Sequence, residues 1–298
     1  TAEDWLLRTE GSSAEILEQI RDTLLRQAKL STDDRVLVYR ADGGLLLWSS
    51  ARITENGCTA GLFERKEALQ SALRYAETSE FLARPITALL PSEAVEMTAD
   101  FVAPVEDGHF RAPSTATPIT DEPPTAHISK DRPLFPDIVF DAVLAYNPAA
   151  TARDFIRFFS RIAAEQTADA RICIAFQLPQ EGLRLSTLLP HDADIERFAA
   201  AETAFFSDVH NERLSWTQDT IAQYARNANF TVQTVEKKAY QEKRLITQAE
   251  LSRWFSDASE YGKTIRAHFA ADTAVLDRII TQLAQRCRKP AVYTRSII

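Results

Sequence analysis

The sequence predicts an α/β domain in which helices cover both faces of a doubly wound, mostly parallel, Rossmann-like sheet. Two observations favour this fold class. Short apolar segments alternate along the chain with amphipathic segments, which is the order that repeated β–α units produce. One of the short segments, residues 138–146, is almost continuously apolar, as expected of a parallel strand that is buried on both faces.

The pattern divides the 298 residues into three parts. These are an N-terminal helical segment over 1–32, the sheet domain over 33–246, and a helical extension over 247–298. Within the domain, residues 104–137 interrupt the alternation and contain seven of the thirteen prolines, so we predict a Pro/Thr-rich loop or insertion there.

The predicted elements follow from apolar periodicity and from the turn residues between them. The predicted strands cover 35–40, 58–63, 85–90, 138–146 and 171–176, with an antiparallel pair at 230–235 and 243–246. The predicted helices cover 45–52, 65–77, 151–166, 192–206, 217–227, 247–255 and 273–286.

Composition and charge exclude several classes of protein. The chain is 45% hydrophobic and 26% charged, which is typical of a globular protein with a substantial core. The net charge of −8 leaves no broad cationic surface for DNA or anionic lipid, although a local basic patch is compatible with it. No apolar run has the ~20 residues that a membrane helix needs. The three cysteines are too few for a disulfide framework and favour a cytoplasmic protein.

The segment after the first predicted strand is the strongest candidate for a ligand site. Gly43 and Gly44 follow the strand and precede a helix, so main-chain N–H groups can meet a polar or anionic ligand there. Glu64 ends the second strand 21 residues after Gly43, where a carboxylate accepts hydrogen bonds from ribose hydroxyls. Together with Asp42 these residues predict a nucleoside pocket, and S-adenosylmethionine is the first choice of ligand.

The same loop departs from the usual cofactor loop. Enzymes of this fold that use S-adenosylmethionine usually have an acidic residue at the end of the first strand and about three glycines after it. Here Arg40 ends the strand, Asp42 is displaced into the loop, and only two glycines remain. Each absent glycine places a Cβ where the ligand approaches, so we expect weak binding. The alternative is a tight strand–helix turn with Glu64 on a solvated edge.

A second candidate position is Asn147, which follows the strand over 138–146. Asn147-Pro148 is similar to the turn with which amino-methyltransferases orient the target amine, although the second proline and the aromatic residue of that turn are absent. The alternative is an ordinary loop opening before a helix.

Other polar clusters carry weaker hypotheses. Lys237-Lys238, Lys243-Arg244 and residues 286–289 are basic clusters that could contact DNA, or that simply belong to solvated faces. The five histidines have no metal-ligand spacing, so no metal site is predicted.

Taken in order, several segments resemble a domain that follows the ATPase module in some bacterial AAA+ proteins of the replication-associated recombination factor type. The segments are residues 34–48, 140–147, 182–185, 201–202, 244–247, 253–255 and 261–262. The resemblance implies a methyltransferase-like fold whose cofactor loop is degenerate, and an ATPase module before Thr1 that would serve DNA replication and repair. The chain begins without Met, and we expect it to be a piece of such a longer protein.

Three hypotheses of function follow. The first is an accessory methyltransferase-like domain with weak or lost cofactor binding. The second is an active methyltransferase that acts on an amine of nucleic acid or protein, with Glu64 on the ribose, Gly43-Gly44 beneath the methionine part and Asn147 on the amine. The third is a structural docking module that uses the apolar face of the N-terminal helix, formed by Ile16, Leu17, Ile20 and Leu24.

Overall fold

A computed structural model of the chain describes residues 14–78, 84–90, 135–182, 184–244, 246–287 and 291–298. Contacts divide the chain into two compact units. The first contains the described parts of Leu17–Ala149 and Ile156–Phe176, and the second contains residues 14–16, Ala150–Phe155 and the described parts of Gln177–Ile298. Residues 1–13 lie outside the described residues, and so do residues 104–134, which are the greater part of the predicted insertion.

The first unit is built from alternating helices and strands. In chain order they are α1 (Ala14–Ala28), β1 (Arg35–Tyr39), α2 (Leu45–Ile53), β2 (Cys58–Phe63), α3 (Lys66–Thr78), β3 (Ile86–Leu89), β4 (Phe140–Tyr146), α4 (Ala152–Ala163) and β5 (Gln166–Ala175); the first residues of α1 and α4 are assigned to the second unit. The predicted strand–helix alternation is therefore confirmed over these residues.

The five strands form one parallel sheet in the order β3-β2-β1-β4-β5. From β1 to β3 each strand is added on the same side of the preceding one, and β4 then pairs with the other side of β1. Open α/β sheets bind ligands in the crevice beyond the carboxyl ends of the strands at such a reversal. The predicted fold class, a doubly wound α/β sheet, is confirmed, and a ligand site of this fold is expected at the carboxyl ends of β1 and β4.

The central strands are apolar because helices cover the sheet. Val36, Leu37 and Val38 of β1 are fully buried, and so are most residues of β4. Gly61 of β2 lies under α2, since an added Cβ would stand 2.8 Å from Leu47 Cδ1. Small and β-branched side chains thus set the close packing on this part of the sheet.

The C-terminal end of α1 is attached to the sheet by an arginine of β5. Lys29 has a left-handed backbone (φ 47°) and ends the helix. Arg171 donates hydrogen bonds to the Ala28 and Lys29 carbonyls at 2.9 and 2.7 Å and to Asp34 Oδ2 at 2.6 Å. The last carbonyls of the helix, which have no partner within it, are satisfied by a cation in this way.

The second unit is mainly helical. It contains α5 (Ala193–Phe206), α6 (Gln218–Asn227), β6 (Lys238–Arg244), α7 (Gln248–Trp254), α8 (Glu260–His268), α9 (Thr273–Arg286) and β7 (Ala291–Ile297). Its core contains Phe198, Phe255, Ile265, Phe269 and Leu283, all buried. Thr247 and Glu250 form a capping box at the start of α7, as a Thr followed three residues later by Glu favours.

The structure differs from the prediction in the late strands. The predicted pairing of 230–235 with 243–246 is wrong, because 230–237 have no regular secondary structure and β6 pairs antiparallel with β7. The extension over 247–298 is accordingly not purely helical. Strand formation depends on the packing context. The partner of β6 is a C-terminal segment, and no local sequence pattern links the two.

Among the described residues, none of the helices has the length and apolar character that crossing a bilayer requires.

Candidate functional site

The carboxyl ends of three neighbouring strands bring the predicted residues together. Tyr39, the last residue of β1, is in register with Leu62 of β2 and Ala145 of β4. Arg40 therefore lies at the same edge of the sheet as Glu64 and Asn147, the residues that follow β2 and β4.

Arg40 joins these three strand ends through its side chain. Its Nη1 donates to the Asn147 carbonyl at 2.8 Å, and its Nε donates to Glu64 Oε2 at 3.1 Å. Its Nη2 also contacts Glu64 Oε2, which completes an ion pair. We call the Arg40 guanidinium, the Glu64 carboxylate and the Asn147 carbonyl the Arg40 bridge.

Arg40 and Asn147, the members of the bridge that follow β1 and β4, both have left-handed backbones. Arg40 has φ 55° and ψ 58°, and Asn147 has φ 47°. A left-handed backbone is uncommon for residues other than glycine, and it persists only where the surroundings enforce it. The strained pair lies at the point where the strand order reverses.

Asp42 fastens the loop after β1 to the loop after β2. It lies in a single turn of 3₁₀ helix, Ala41–Gly43, and its side chain is only 16% exposed. Its Oδ2 accepts from the Glu64 N–H at 3.0 Å and its Oδ1 from the Arg65 N–H at 2.9 Å. Arg65 Nε lies 3.4 Å from Oδ1. The carboxylate is thus held by main-chain and arginine donors of the chain itself.

The two glycines have different roles. Gly44 is left-handed (φ 69°), its N–H donates to the Ala41 carbonyl at 2.8 Å, and its carbonyl accepts from Trp48 N–H at 3.0 Å. This geometry ends the 3₁₀ turn and starts α2 at once. A Cβ added at Gly43 would meet no described heavy atom within 4 Å. Gly44 is therefore required by the turn, whereas Gly43 leaves open space beside the loop.

The structure brings Asp42, Gly43, Gly44, Glu64 and the Asn147 backbone to one edge of the sheet. The residue at the centre, Arg40, was interpreted from sequence only as a departure from the usual loop. The signal for its role was a cation directly after an apolar strand, with a carboxylate directly after the next strand.

Other predicted groups are engaged in protein contacts. Lys237 is paired with Glu181, and Lys238 Nζ lies 3.6 Å from Glu236 Oε2, so these two cations have acidic neighbours. Burial raises the pKa of the Cys58 thiol to about 11 and that of Cys173 to about 11. Within the described ranges no three His, Cys, Asp or Glu residues form a group that could hold a metal ion.

Comparisons with known proteins extend this picture. No model of a known protein family matches the chain, and no curated protein matches it. Among solved structures it is similar to the YcgJ protein from Bacillus subtilis, with a TM-score of 0.50, 12% identity, and 94% of this chain and 96% of that one covered. The chain has the fold of that protein, a Rossmann-like α/β sheet.

Two further similar structures have lower TM-scores. A cyclopropane synthase from Mycobacterium tuberculosis gives a TM-score of 0.43 at 11% identity, over 94% of this chain and 83% of that one. A coclaurine N-methyltransferase bound to N-methylheliamine and S-adenosylhomocysteine gives 0.42 at 9% identity, over 94% and 69%.

The carboxylates at this edge of the sheet are engaged by donors of the chain itself. Ribose hydroxyls need a carboxylate with acceptor atoms directed into the crevice. Glu64 Oε2 accepts from Arg40, and both oxygens of Asp42 accept from main-chain N–H groups.

Proposed function

We propose that this chain is an accessory domain with a methyltransferase-like fold, in which binding of S-adenosylmethionine is weak or lost. The single observation that carries the proposal is the ion pair between Arg40 and Glu64 at the carboxyl edge of the sheet. A ligand that uses Glu64 must first displace the guanidinium. The hydrogen bond from Arg40 to the Asn147 carbonyl opposes that displacement.

The Asp42 contacts support the same proposal. A second carboxylate in the loop could replace Glu64 as a ribose acceptor only if its oxygens became available. Both oxygens accept from exposed N–H groups of the loop after β2, so a ligand that used Asp42 would have to replace these two hydrogen bonds, at about 0.5–1.5 kcal/mol each. The loop therefore favours its present closed arrangement.

The alternative is an active methyltransferase acting on an amine of nucleic acid or protein. Methyl transfer needs mainly in-line positioning of an activated methyl group, so the absence of an obvious acid or base does not oppose it. The half-exposed Glu64, 51% accessible, favours this alternative to some extent. Against it stands the Asn147 carbonyl, which already accepts a hydrogen bond from Arg40.

Calorimetric titration separates these two functions. S-adenosylmethionine and S-adenosylhomocysteine are titrated into the chain, with Glu64→Ala as control and circular dichroism to establish folding. We expect no binding tighter than about 100 μM, which corresponds to about −5.5 kcal/mol. Binding near 1 μM, about −8 kcal/mol, that is lost in Glu64→Ala would overturn the accessory function and establish a cofactor site.

The wider context is also a proposal. We infer a AAA+ ATPase of DNA replication and repair as the covalent neighbour, supported only by the resemblance of the segments given above. An antibody raised against this chain should then detect, in extracts of the source cells, a polypeptide larger by an ATPase module, with ATPase activity in the precipitate. Detection only of a protein of this chain's own mass, 33.4 kDa, contradicts it.

Contact with DNA through the basic cluster is a separate part of the proposal. Lys237, Lys238 and Arg244 should then give binding that weakens steeply with salt and is lost when all three are changed to Gln. Binding that responds to neither salt nor these changes contradicts the proposed contact with DNA. The acidic neighbours Glu181 and Glu236 must release the two lysines for it to occur.

Docking through α1 is the least favoured of the three hypotheses. Ile16, Ile20 and Leu24 are each no more than 4% exposed, and Leu17 is half-buried. The apolar face of this helix is thus covered by the chain itself. A partner that used it would have to displace α1 from the chain.

A further inference from the structure

We propose that the Arg40 side chain is a built-in occupant of a latent site for adenosine-containing ligands, and that removing it exposes the site. This inference rests on the proposed weakness of cofactor binding and explains it by one residue. It attributes the weak binding of the cofactor to Arg40 rather than to the missing glycines of the loop.

The position of Arg40 is the first argument. The residue directly follows β1, which lies between β2 and β4 at the reversal of strand order. Its guanidinium reaches Glu64 on one side and the Asn147 carbonyl on the other. One side chain thus spans the crevice in which this class of sheet receives its ligands.

The backbone supplies the second argument. Arg40 is a long, Cβ-bearing residue at φ 55°, in a turn where glycine or asparagine is usual. Strain of this kind persists where surrounding contacts over-determine it. The hydrogen bonds of the bridge are such contacts, and they direct the guanidinium across the crevice.

The charges around Arg40 define the kind of ligand. Two cations, Arg40 and Arg65, and two carboxylates, Asp42 and Glu64, lie in this loop pair, so their formal charges cancel. Removing the Arg40 guanidinium leaves Glu64 as an acceptor without adding steric bulk. A carboxylate at the end of the second strand suits the two hydroxyls of a ribose, which can donate hydrogen bonds to it, rather than an anion, which it would repel.

A single substitution can remove the bridge without leaving a buried charge unpaired. The Glu64 side chain is 51% exposed, and ion pairs that are this exposed are strongly screened by solvent. A Cβ added at Gly43 would meet no heavy atom of the described residues within 4 Å, which leaves room for part of a ligand next to the loop. The guanidinium therefore excludes a ligand chiefly because it occupies the position, and the rest of the site need not be rebuilt.

The test compares two matched substitutions. Arg40→Asn removes the guanidinium and retains a residue type that tolerates φ 55°, and Arg65→Asn removes an equal charge from the same loop pair at a side chain that is paired with Asp42. Both are titrated calorimetrically with S-adenosylhomocysteine beside the unaltered chain. We expect Arg40→Asn to bind at least about tenfold more tightly than the unaltered chain, about 1.4 kcal/mol, and Arg65→Asn to be unchanged.

A double variant identifies the acceptor. Arg40→Asn combined with Glu64→Ala should lose the gain, because the exposed carboxylate is then absent. If the gain survives in the double variant, the ligand does not use Glu64 and the proposal is overturned. Should Arg40→Asn fail to fold, Arg40→Gly, which also accommodates the left-handed backbone, takes its place.

The outcomes distinguish this inference from the proposed function. Micromolar binding by the unaltered chain overturns the proposed function, and the ratio between Arg40→Asn and the unaltered chain then still decides the role of Arg40. A folded Arg40→Asn with no gain over the unaltered chain overturns the role of Arg40 and leaves the accessory function standing. A gain in Arg65→Asn equal to that in Arg40→Asn attributes the effect to net charge and likewise overturns the inference.

Discussion

Arg35 and Asp141 form a bidentate ion pair that joins β1 to β4. Arg35 Nε donates to Asp141 Oδ2 and Nη2 to Oδ1, each at 3.0 Å, and the Arg35 main-chain N–H donates to Oδ2 at 3.0 Å. One carboxylate thus accepts three hydrogen bonds from a single residue of the adjacent strand. The pair aligns the amino ends of the two strands between which the order reverses.

This pair predicts a measurable dependence of stability on pH. The Arg35 hydrogen bond is the main cause of a lowered pKa of Asp141. Burial alone would raise the pKa of Asp34, but hydrogen bonds from Ser31 and Arg171 hold it below its ordinary value. A carboxyl whose folded pKa is lowered stabilises the fold above its unfolded pKa of about 4, and this contribution is lost as pH falls through the folded value.

We therefore expect Asp141→Asn to lower the free energy of unfolding in urea at pH 7 by about 1–2 kcal/mol, since the pair is partly exposed. The loss should shrink as the pH falls from 5 towards 2. Asp169→Asn, at an exposed position of β5, is the matched control and should change little. A difference between the two variants that is constant over this pH range contradicts the assignment.

The glycine pair gives a second prediction. Gly44→Ala places a Cβ on a residue at φ 69° and should destabilise the chain by about 1 kcal/mol, whereas Gly43→Ala meets open space and should be neutral or slightly stabilising. Urea unfolding of the two variants measures this. Equal losses in both would mean that the turn before α2 does not have the conformation described here.

The sequence was sufficient to predict the sheet because each central strand carries its own signal. The apolar runs around Val36 and Val143 and the turn residues between them are local features, and parallel strands buried on both faces require such runs. The β6–β7 ribbon lacks a local signal. Its two strands are about fifty residues apart in the sequence, and their pairing depends on tertiary contacts. The alternation of polar and apolar residues along one strand does not reveal which distant strand is its partner.

The candidate site was predictable as a location but not as an arrangement. Register places whatever follows β1, β2 and β4 at one edge, so Asp42, Glu64 and Asn147 could be expected together. The direction of the Arg40 side chain could not, since it depends on a left-handed backbone that sequence patterns associate with glycine. The hydrogen bonds of Asp42 to the loop after β2 likewise depend on tertiary placement.

Cysteine reactivity provides a third prediction. Burial raises the pKa values of Cys58 and Cys173 to about 11, so at pH 8 only about 0.1% of each thiol is ionised. Both should react with a disulfide reagent at least about 100-fold more slowly in the native chain than in guanidinium chloride. Mass spectrometry after brief labelling assigns the sites, and rapid native labelling of Cys58 would contradict its burial.

The last prediction concerns Glu202, a fully buried carboxylate of α5. Glu202 accepts from the Leu185 and Ser186 N–H groups at 2.8 and 2.9 Å and from the Tyr261 hydroxyl at 2.9 Å. Segments that carry the resemblance noted from sequence, around Leu185, Glu202 and Tyr261, therefore meet in one buried network. Their residue types follow from packing, and they need no catalytic role to explain them.

Glu202→Gln should destabilise the chain by about 2 kcal/mol in urea, because one amide oxygen cannot satisfy both main-chain donors. Glu196→Gln, on the exposed face of the same helix, is the control and should change the free energy of unfolding by less than about 0.5 kcal/mol.

Burial, reinforced by Glu202, raises the pKa of Tyr261 well above its ordinary value, so Tyr261 should stay protonated in alkaline titrations that ionise exposed tyrosines. In Glu202→Gln the charge is gone and this pKa should fall, as measured by tyrosinate absorbance against a Tyr261→Phe reference. An unchanged titration would show that burial alone, and not the carboxylate, keeps the phenol neutral.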